Sequence, residues 1–486
     1  MANRIAIFNV SIPRIRILHF TWLAFFITFI LWFAYAPLMP MLKTTFNLSE
    51  NDIKALLLLN VAITIPARIL IGVLVDKYGP RITYSVLLAF CGVLCLGFAA
   101  ATSFGMLALM RFLLGFSGAG FVIGVRLVSE WFPAREVGAA EGIYAGWGNF
   151  GAAIASMAMP VLALSFGGDN GWRYAIALTG IIAIAYSAIF YRKVRDTPEG
   201  STYFRPAKTG GLEVTSKADF VLYCLMTLPL YLALVLLTWR LGEFGLLSTA
   251  TSLIAYAVIV ALVVYQYAKL WQVNKHLYTG EHPPAPAYKF KQVAIINFTY
   301  LACFGSELAV VSMLPLFFIN TFKISPVYAG ITAGSFAIMN LFARPGGGWL
   351  SDRIGRRKVL TMMLTAQTVG YLLLSRVDSS WSVGMAIALT IITSIFVQAA
   401  CGGVDSVMPL IQRRMTGQIA GLTGAYGNVG GVIFLTVLSF VSPMVFFLVI
   451  AAVSAAAVLV TCMLDEPKGH MVEVDEKGNV QLIAMD

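Results

Sequence analysis

Two arginines stand within otherwise apolar stretches of this sequence, where a charge is costly and its chemistry is specific. Arg68 and Arg344 lie 276 residues apart, and each precedes an aspartate, Asp76 or Asp352, by eight residues. Eight helical residues rise about 12 Å, so each guanidinium would lie far from the helix end. A guanidinium pairs with two oxygens of a planar oxyanion at once. The pair predicts a central anion site; the alternative is that each arginine bonds helix carbonyls or snorkels.

Two asparagines follow a similar duplicated pattern. The stretches GAAEGIYAGWGNFG and GQIAGLTGAYGNVGG correspond after a shift of 279 residues, which aligns Asn149 with Asn428. Close helix packing alone would explain the glycines of these stretches. Packing does not explain the asparagines, because an amide inside a membrane requires a hydrogen-bond partner. Since their NH2 groups can donate to an oxyanion without adding charge, we expect them beside the arginines.

The composition places these residues in a membrane protein. Of 486 residues, 59% are hydrophobic and 12% are charged, and the mean hydropathy is +0.82. Soluble domains are roughly 45–50% apolar and about 25% charged. The chain therefore lacks the polar side chains that would cover a soluble fold, and its low charge density excludes a disordered chain. We predict an all-α polytopic membrane protein.

Fourteen stretches are long enough to cross a bilayer, which takes roughly 20 apolar residues each. They lie near 19–42, 55–75, 82–101, 104–128, 137–165, 172–191, 220–239, 244–268, 293–320, 328–350, 358–375, 381–407, 417–440 and 444–463. If the pair at 220–268 does not cross, twelve spans remain.

The repeats divide the chain into two six-helix bundles of like orientation. We expect an N-terminal half at 1–192, linkers with an inserted helix pair at 193–290, a C-terminal half at 291–465 and an acidic cytoplasmic tail at 466–486. The insertion must cross an even number of times, because both aspartate loops have to face the same side.

The distribution of basic residues predicts the orientation. With the N-terminus inside, inner loops and tails carry 24 Lys and Arg, and outer loops carry six. This bias follows the positive-inside rule, so the formal charge of +11 reports topology and a nucleic-acid partner is excluded. We expect a multi-pass protein of the plasma (inner) membrane, contacting lipid, with both termini cytoplasmic.

The aspartate loops GVLVDKYGPR and GGWLSDRIGRR resemble the cytoplasmic loop motif of the major facilitator superfamily. The resemblance implies a conformational switch, in which loop arginines pair with a carboxylate on a neighbouring helix. Glu130, after the fourth span, and Asp405, after the tenth span counted without the inserted pair, are the expected carboxylates, 275 residues apart. The predicted switch residues are Asp76, Arg81, Glu130, Asp352, Arg356, Arg357 and Asp405. The alternative is that these are ordinary charged loops.

The glycine-rich stretches, with GWGNFG and AYGNVGG, resemble the two characteristic segments of the nitrate/nitrite porter family, closest to its cyanobacterial or eukaryotic-type high-affinity branch. The resemblance implies that the arginines bind the anion and that aromatic rings sandwich it. The residues it assigns to substrate binding are Arg68, Arg344, Asn149, Asn428, Phe121, Tyr300 and Phe304.

Residue spacing independently fits this assignment, because it places Phe121 at the depth of the arginines and puts Tyr300 and Phe304 on one helix face. Phe121 lies nine residues before Glu130, and Tyr300 and Phe304 are spaced i, i+4. Glu307 extends the same helix face. It is the candidate for proton coupling, because a carboxyl near two arginines can change protonation when an anion binds. The alternative is a structural counter-ion that never titrates.

The favoured function is secondary transport of nitrate and/or nitrite by alternating access, as proton symport or as nitrate/nitrite exchange. An organophosphate or carboxylate exchanger of the same superfamily is the alternative, and a membrane anion sensor is the alternative from another class. We expect no enzyme activity, cofactor or metal, because no nucleophile–base pair or metal cluster occurs at depth. We also expect a monomer. The sequence leaves the choice between nitrate and nitrite, the direction of transport and the affinity open.

Overall fold

The computed structural model describes residues 5–206, 208–279, 288–466, 470–474 and 480–484. Its N-terminal part is helical. The helices are α1 (Pro13–Phe33), α2 (Met39–Phe46), α3 (Glu50–Tyr78), α4 (Pro80–Ala99), α5 (Phe104–Leu114), α6 (Gly120–Trp131), α7 (Ala134–Phe166) and α8 (Gly171–Lys193). Short 3-10 turns, Ala36–Leu38 and Gly115–Ala119, connect α1 to α2 and α5 to α6.

The remaining helices follow a linker. They are α9 (Lys217–Glu243), α10 (Thr249–Asn274), α11 (His276–Thr279), α12 (Phe290–Phe322), α13 (Pro326–Ile338), α14 (Asn340–Ile354), α15 (Arg356–Leu374), α16 (Val383–Ile411), α17 (Thr416–Leu438) and α18 (Pro443–Thr461). A 3-10 turn, Arg413–Met415, precedes α17. The predicted all-α membrane fold is confirmed.

Twelve helical segments of the described residues are long and apolar enough to cross a membrane, and both inserted helices, α9 and α10, are among them. Two predicted spans are not. The stretch at 328–350 divides at Met339 into α13 and α14, and α15 begins with three consecutive basic residues. Fourteen crossings therefore stay a prediction.

Serine caps define where many of these helices begin. Ser49 caps α3, and a capping box forms because Asp52 in turn accepts the Ser49 N–H. Six other serines accept a backbone N–H in the first turn of their helices in the same way. They are Ser103, Ser216, Ser248, Ser325, Ser382 and Ser442. These side chains satisfy backbone donors at the helix ends, where the chain turns.

Glycines bring the two halves into backbone contact. Helix α17 packs on α3, and α14 packs on α7. A Cβ at Gly421 would lie 2.5 Å from the carbonyl oxygen of Arg68, and a Cβ at Gly142 would lie 2.6 Å from that of Arg344. The two contacts are related by the repeat. Each glycine-rich helix thus lies directly against the arginine-bearing helix of the opposite half.

The inserted pair lies beside this interface. Helix α9 contacts α3, α12 and α17, whereas α10 packs on α9. The hydroxyl of Tyr426 on α17 donates to the carbonyl of Met226, and Thr227 donates to the hydroxyl of Tyr267 at 2.9 Å. The insertion is therefore joined to the C-terminal half chiefly through α9, with α10 on its outer side.

The tail departs from the helical pattern. Strands β1 (His470–Val474) and β2 (Val480–Ala484) pair antiparallel, with His470 opposite Ala484 and Val474 opposite Val480. Sequence analysis predicted only an acidic cytoplasmic tail here and missed the hairpin.

The close contact at Gly421 predicts that Gly421→Ala lowers the thermal unfolding temperature of the detergent-solubilised protein by several degrees. The added methyl must push α17 away from the Arg68 carbonyl, and overpacking of this kind costs about 1–3 kcal/mol. The matched control is Gly384→Ala on α16, where a Cβ meets nothing within 4 Å. This control should leave the unfolding temperature unchanged or raise it slightly, since alanine favours helix over glycine. Equal unfolding temperatures for the two variants would contradict the contact.

Candidate functional site

Arg68 is fully buried on α3 and is held by backbone carbonyls. Its Nε donates to the oxygen of Gly118 at 3.1 Å, and Nη1 donates to that of Gly424 at 2.6 Å. Gly118 belongs to the same half, whereas Gly424 lies on α17 of the other half. Among the described residues no carboxylate forms an ion pair with Arg68. The guanidinium thus bridges the halves while its charge stays unneutralised by a direct partner.

Arg344 is equally buried on α14, but its partners differ. Its Nε donates to Asp405 Oδ2 at 2.8 Å, and Nη2 donates to the hydroxyl of Tyr300 at 2.6 Å. Its third nitrogen, Nη1, has no hydrogen-bond partner within the described part of the chain. The two arginines are therefore equivalent in the repeat and unequal in charge, because only Arg344 is paired with a carboxylate.

Both guanidinium groups face the same two rings. The Cζ of Arg68 lies 5.5 Å from the ring centroid of Phe121 and 5.3 Å from that of Phe304. The Cζ of Arg344 lies 5.9 and 5.8 Å from the same centroids. Phe121 is on α6 in one half and Phe304 is on α12 in the other. The structure therefore brings the predicted arginines and rings together at the boundary between the halves.

The rings form one continuous stack across that boundary. Phe121 and Tyr300 have centroids 6.0 Å apart with planes 18° apart, and Tyr300 and Phe304 have centroids 5.1 Å apart with planes 8° apart. The ring faces, which carry negative electrostatic potential, are suited to lie beside guanidinium groups. A movement of one half against the other changes the gap between Phe121 and Tyr300.

The two asparagines lie on corresponding glycine-rich helices, and the position of Asn149 beside the arginines stays a prediction. Asn428 on α17 donates through Nδ2 to the carbonyl of Gly424 at 3.3 Å, the carbonyl that also binds Arg68. Asn149 on α7 is buried, and neither its amide nitrogen nor its oxygen has a partner among the described residues. A Cβ at Gly427 would contact Phe304 and Tyr300, so α17 places Asn428 next to the aromatic stack.

Glu307 lies on the Arg344 side of the site. Its Oε1 accepts a hydrogen bond from Asn340 Nδ2 at 2.7 Å, and Oε2 has no partner in the described residues. Asn340 begins the helix that carries Arg344. The carboxyl is therefore buried beside one arginine of the pair and linked to its helix, rather than lying midway between both arginines.

Asp76 and Asp352 close one end of the boundary between the halves. The two oxygens of Asp76 accept the backbone N–H groups of Gly417 and Gln418, both at 2.9 Å. Those of Asp352 accept from Gly138 and Ala139 at 3.0 and 2.8 Å. Each carboxylate thus binds near the start of the opposite half's glycine-rich helix, where the helix dipole favours a negative charge.

The loop arginines have other partners. Arg356 donates to the Ala134 carbonyl at 2.6 Å and to Asp352 at 3.1 Å, whereas Arg81 donates through Nε to the Tyr191 carbonyl. Arg357 contributes its backbone N–H to the carboxylate of Glu466, which follows α18. Neither Arg81 nor Arg357 forms an ion pair with Glu130 or Asp405 within the described chain.

A carboxylate also caps the helix that follows each aspartate loop. The Arg81 N–H donates to Asp196 at 2.7 Å, and the Arg356 N–H donates to Glu466 at 2.8 Å. Burial raises the pKa of Asp196 above its usual value, and the hydrogen bond from Arg81 partly opposes this. Asp196 follows the last helix of the N-terminal half, and Glu466 follows the last helix of the C-terminal half. In each half, the segment after the last helix therefore binds the start of the helix that follows the aspartate loop.

Glu130 forms an ion-pair cluster with a buried arginine that sequence analysis assigned no role. Arg126 Nη1 lies 2.8 Å from Glu130, and its Nε lies 3.3 Å from Asp76. Arg413, which precedes α17, also pairs with Glu130 at 3.1 Å. Arg126 and Tyr203 are hydrogen-bonded, so the linker after α8 covers this cluster. Glu130 therefore pairs with Arg413 of the opposite half at the closed end, whereas the expected pair with Arg81 of its own half does not form among the described residues.

The predicted placement of Asp405 was wrong. Sequence analysis put it after the tenth span, as a partner for the loop arginines. Helix α16 continues to Ile411, so Asp405 is fully buried within it and pairs with Arg344. The physical reason is that α16 continues six residues past Asp405. The carboxylate therefore lies inside the helix, where it pairs with the buried guanidinium of Arg344.

Sequence analysis missed two further residues. Phe25 on α1 lies 6.0 Å from Phe121 between ring centroids, and the 279-residue shift relates it to Phe304, so the repeat carried a signal for it. Glu141 on α7 is completely buried, and neither carboxyl oxygen has a partner among the described residues. Nothing in the glycine-rich sequence around Glu141 predicted that its carboxyl would be buried.

A cavity of about 700 Å³ opens at the end opposite to the two aspartates. It is lined by α1, α3, α9, α12 and α17, and Asn428 lies in its wall. One end of the boundary is therefore closed by hydrogen bonds and the other end is accessible. This asymmetry is what alternating access requires of a single state.

Comparison with known proteins finds relatives over almost the whole chain. The sequence profile of the Major Facilitator Superfamily matches residues 21–280 and 283–484. The chain is 45% identical to the nitrate/nitrite transporter NrtP of a Picosynechococcus species, over 97% of this chain and 96% of that protein. It is 46% identical to the nitrate/nitrite transporter NrtP of Nostoc punctiforme, over 95% of each. It is 29% identical to the high affinity nitrate transporter 2.5 of Arabidopsis thaliana, over 89% of this chain and 75% of that protein.

Solved structures share the fold at low sequence identity. The major facilitator transporter FucP in the outward conformation matches with a TM-score of 0.64 and 14% identity, covering 93% of this chain and 100% of that chain. The human organic anion transporter MFSD10 matches with the same TM-score, 12% identity and the same coverage. The predicted major facilitator fold is confirmed.

The closed end predicts that Asp76→Asn loosens it. Asparagine has one acceptor oxygen, so it cannot accept both backbone N–H groups, and its NH2 faces a donor. Loss of these charge-assisted bonds, about 1–3 kcal/mol, should raise maleimide labelling of Thr416→Cys on the order of tenfold. Thr416 is fully buried at the start of α17. The background carries Cys224→Ser and Cys462→Ser, because the other free cysteines are buried.

The control for this labelling is Asp378→Asn. The Asp378 carboxylate accepts only the Ser380 N–H and hydroxyl in an exposed turn, so its replacement removes a charge without touching the boundary. Equal labelling rates for the Asp76 and Asp378 variants would show that Asp76 does not hold this end closed.

Proposed function

We propose that this chain, which belongs to the major facilitator superfamily and within it to the family of nitrate/nitrite transporters, carries nitrate and nitrite across a membrane by alternating access. The single observation that carries the proposal is that Arg68 and Arg344, one from each half, face the same two aromatic rings at the boundary between the halves. The 45 and 46% identical relatives named nitrate/nitrite transporters support it over the full length.

The donors and rings of the site match a small planar oxyanion. Arg344 Nη1 and the Asn149 amide are buried donors without partners in the described chain, and they supply hydrogen bonds to the edge of such an ion. Phe121 and Phe304 supply flat apolar surfaces for its faces. A larger dianion would require more cations than these two, one of which, Arg344, is already paired with Asp405.

The anion would control the approach of the two halves. Each half contributes one guanidinium, and two cations in a low-dielectric interior repel one another. A monoanion between them offsets this repulsion and draws the halves together at the centre. Opening towards the aspartate end then requires release of the Asp76 and Asp352 hydrogen bonds, which close that end in this state.

We further propose that the protein is a monomer in the plasma (inner) membrane with the aspartate end and both termini in the cytoplasm. The excess of basic residues on that side supports this orientation. The cavity on the opposite end is then the external opening, so the state described here is open to the outside.

Accumulation of an anion needs an energy source. A cell interior that is negative opposes each monoanion by about 2.3 kcal/mol per 100 mV. Two protons per anion, or exchange for a second anion, would overcome this cost. Glu307 is our candidate proton carrier, because its buried carboxyl lies on the Arg344 side of the site and shares a hydrogen bond with the helix of that arginine. A fixed counter-ion role is the alternative.

The arginine pair predicts that Arg68→Ala and Arg344→Ala each lower the uptake of labelled nitrate into proteoliposomes by at least about 100-fold. This factor corresponds to the loss of one buried ion contact of roughly 3 kcal/mol. Arg376→Ala, in an exposed loop, is the control and should retain wild-type uptake. Uptake that survives in either buried-arginine variant, at matched protein incorporation, would contradict the site.

The carboxyl predicts a different result for Glu307→Gln. This variant should lose uphill nitrate accumulation driven by a pH gradient and keep nitrate/nitrite exchange, because glutamine keeps the hydrogen bond to Asn340 and cannot release a proton. Glu141→Gln, at a completely buried glutamate without a partner among the described residues, is the matched comparison and should retain accumulation. Unchanged accumulation in Glu307→Gln removes this residue from coupling, and loss confined to Glu141→Gln would assign the proton to Glu141.

A further inference from the structure

We propose that the accessible cavity is an external recruitment site, in which Lys54 and Arg240 bind small inorganic monoanions weakly before they reach the central arginines. This inference rests on the proposed transport function and adds a second anion site to it. It also gives the inserted helix pair a role, because Arg240 belongs to α9.

Three parts of the chain build this cavity. The N-terminal half contributes residues of α1 and α3, including Trp32 and Lys54, and the C-terminal half contributes residues of α12 and α17. The insertion contributes Arg240 and Phe244 from the end of α9. The inserted helix therefore forms one wall of the opening between the halves.

The two cations converge on one ring. Lys54 Nζ lies 5.8 Å from the centroid of Phe244, and Arg240 Cζ lies 5.1 Å from it. Arg240 also lies over Trp239 and Phe440, at 5.5 and 5.6 Å. The rings hold the arginine in place from the insertion and from the C-terminal half, and ring contacts of this type leave the N–H groups of the guanidinium free to bind an anion.

Neither cation forms an ion pair in the part of the chain that the structure describes, although the Glu50 carboxylate, one helical turn before Lys54, interacts with it electrostatically. No carboxylate in that part pairs with Arg240, although Glu243 follows it by three residues. Neighbouring outer-face cations behave differently. Lys43 pairs with Glu50 at 2.5 Å, and Arg173 donates to the carbonyls of Ala99 and Ala101. Two unpaired cations at one opening indicate a site that attracts anions.

Helix α17 connects the wall of the cavity to the central site. Asn428 lies in the cavity wall, and its Nδ2 donates to the Gly424 carbonyl. The same carbonyl accepts the hydrogen bond from Arg68 Nη1. Asn428 in the cavity wall and the carbonyl that holds the first central guanidinium are thus one turn of α17 apart.

Electrostatics favours recruitment over tight binding here. Cations at the mouth of a low-dielectric cleft raise the local concentration of counter-ions and their rate of arrival, and salt screens the effect. Lys54 is exposed and Arg240 is partly exposed, so water competes with any anion that they hold. The recruitment site should therefore increase the apparent affinity for nitrate. The maximal rate should depend on the central arginines instead.

The experiment measures initial nitrate uptake by proteoliposomes over a range of nitrate concentrations at low and high ionic strength. Lys54→Gln and Arg240→Gln should each raise KM about threefold at low ionic strength, and the double variant about tenfold, with the maximal rate within about twofold of wild type. High ionic strength should raise the wild-type KM towards that of the double variant, which should itself respond little to salt.

Control variants separate charge from structure. Arg240→Lys keeps the charge and should restore most of the wild-type KM. Arg376→Gln removes a cation from the same side of the protein without touching the cavity, and it should keep the wild-type KM and salt dependence. A double variant with an unchanged KM at low ionic strength would overturn the proposal, as would Arg240→Lys behaving like Arg240→Gln.

A binding measurement keeps this inference distinct from the transport function. Iodide, a small monoanion, quenches tryptophan fluorescence on contact, and Trp239 is exposed next to Arg240. At low ionic strength the double variant should be quenched less than the wild type, and Trp239→Phe should abolish that difference. If wild-type vesicles move no nitrate while this difference is present, the transport function fails and the recruitment site stands. Transport without this difference overturns the recruitment site alone.

Discussion

The structure depends on how two guanidinium groups are kept inside a membrane domain. A bare arginine in hydrocarbon costs at least about 2.5–3.5 kcal/mol, so each must find polar partners. Arg344 has a carboxylate and a phenol, whereas Arg68 has two backbone carbonyls. Of the two arginines, Arg68 is therefore the one that no carboxylate pairs with among the described residues. Because the Arg68 guanidinium bonds to both halves without a carboxylate partner, our proposal is that an anion bound beside it alters the spacing of the halves.

Glycine makes the carbonyl partners of Arg68 available. Gly118 and Gly424 accept its hydrogen bonds, and a Cβ at Gly424 would lie 3.0 Å from the guanidinium itself. The absence of side chains at such positions lets a charged group lie against a helix backbone in place of water. The glycine-rich stretches are therefore part of the binding chemistry as well as of the packing between helices.

Sequence reasoning located the centre of the molecule well because the repeat constrains it. Arg68 and Arg344, spaced equally from their aspartates, had to share a depth, and spacing placed Phe121 in the same layer, whereas Phe304 was assigned through the family resemblance. Asp405 was misplaced because a helix end cannot be located from hydropathy alone when the helix continues as a buried polar turn. Sequence reasoning also could not predict that Glu141 is buried without a partner, or that Glu130 pairs with Arg413. Both features depend on contacts between the halves, which no local sequence pattern encodes.

The glycine-rich helices connect the central site to the closed end. Helix α17 binds Asp76 through backbone N–H groups near its start and carries Asn428 and the Arg68-binding carbonyl of Gly424 further along. Helix α7 binds Asp352 in the same way and carries Asn149. A tilt of either helix that draws its asparagine towards an anion must also displace its N-terminal end from the aspartate. Because one rigid element joins the two sets of hydrogen bonds, occupancy at the centre and closure at the end are coupled without any additional device.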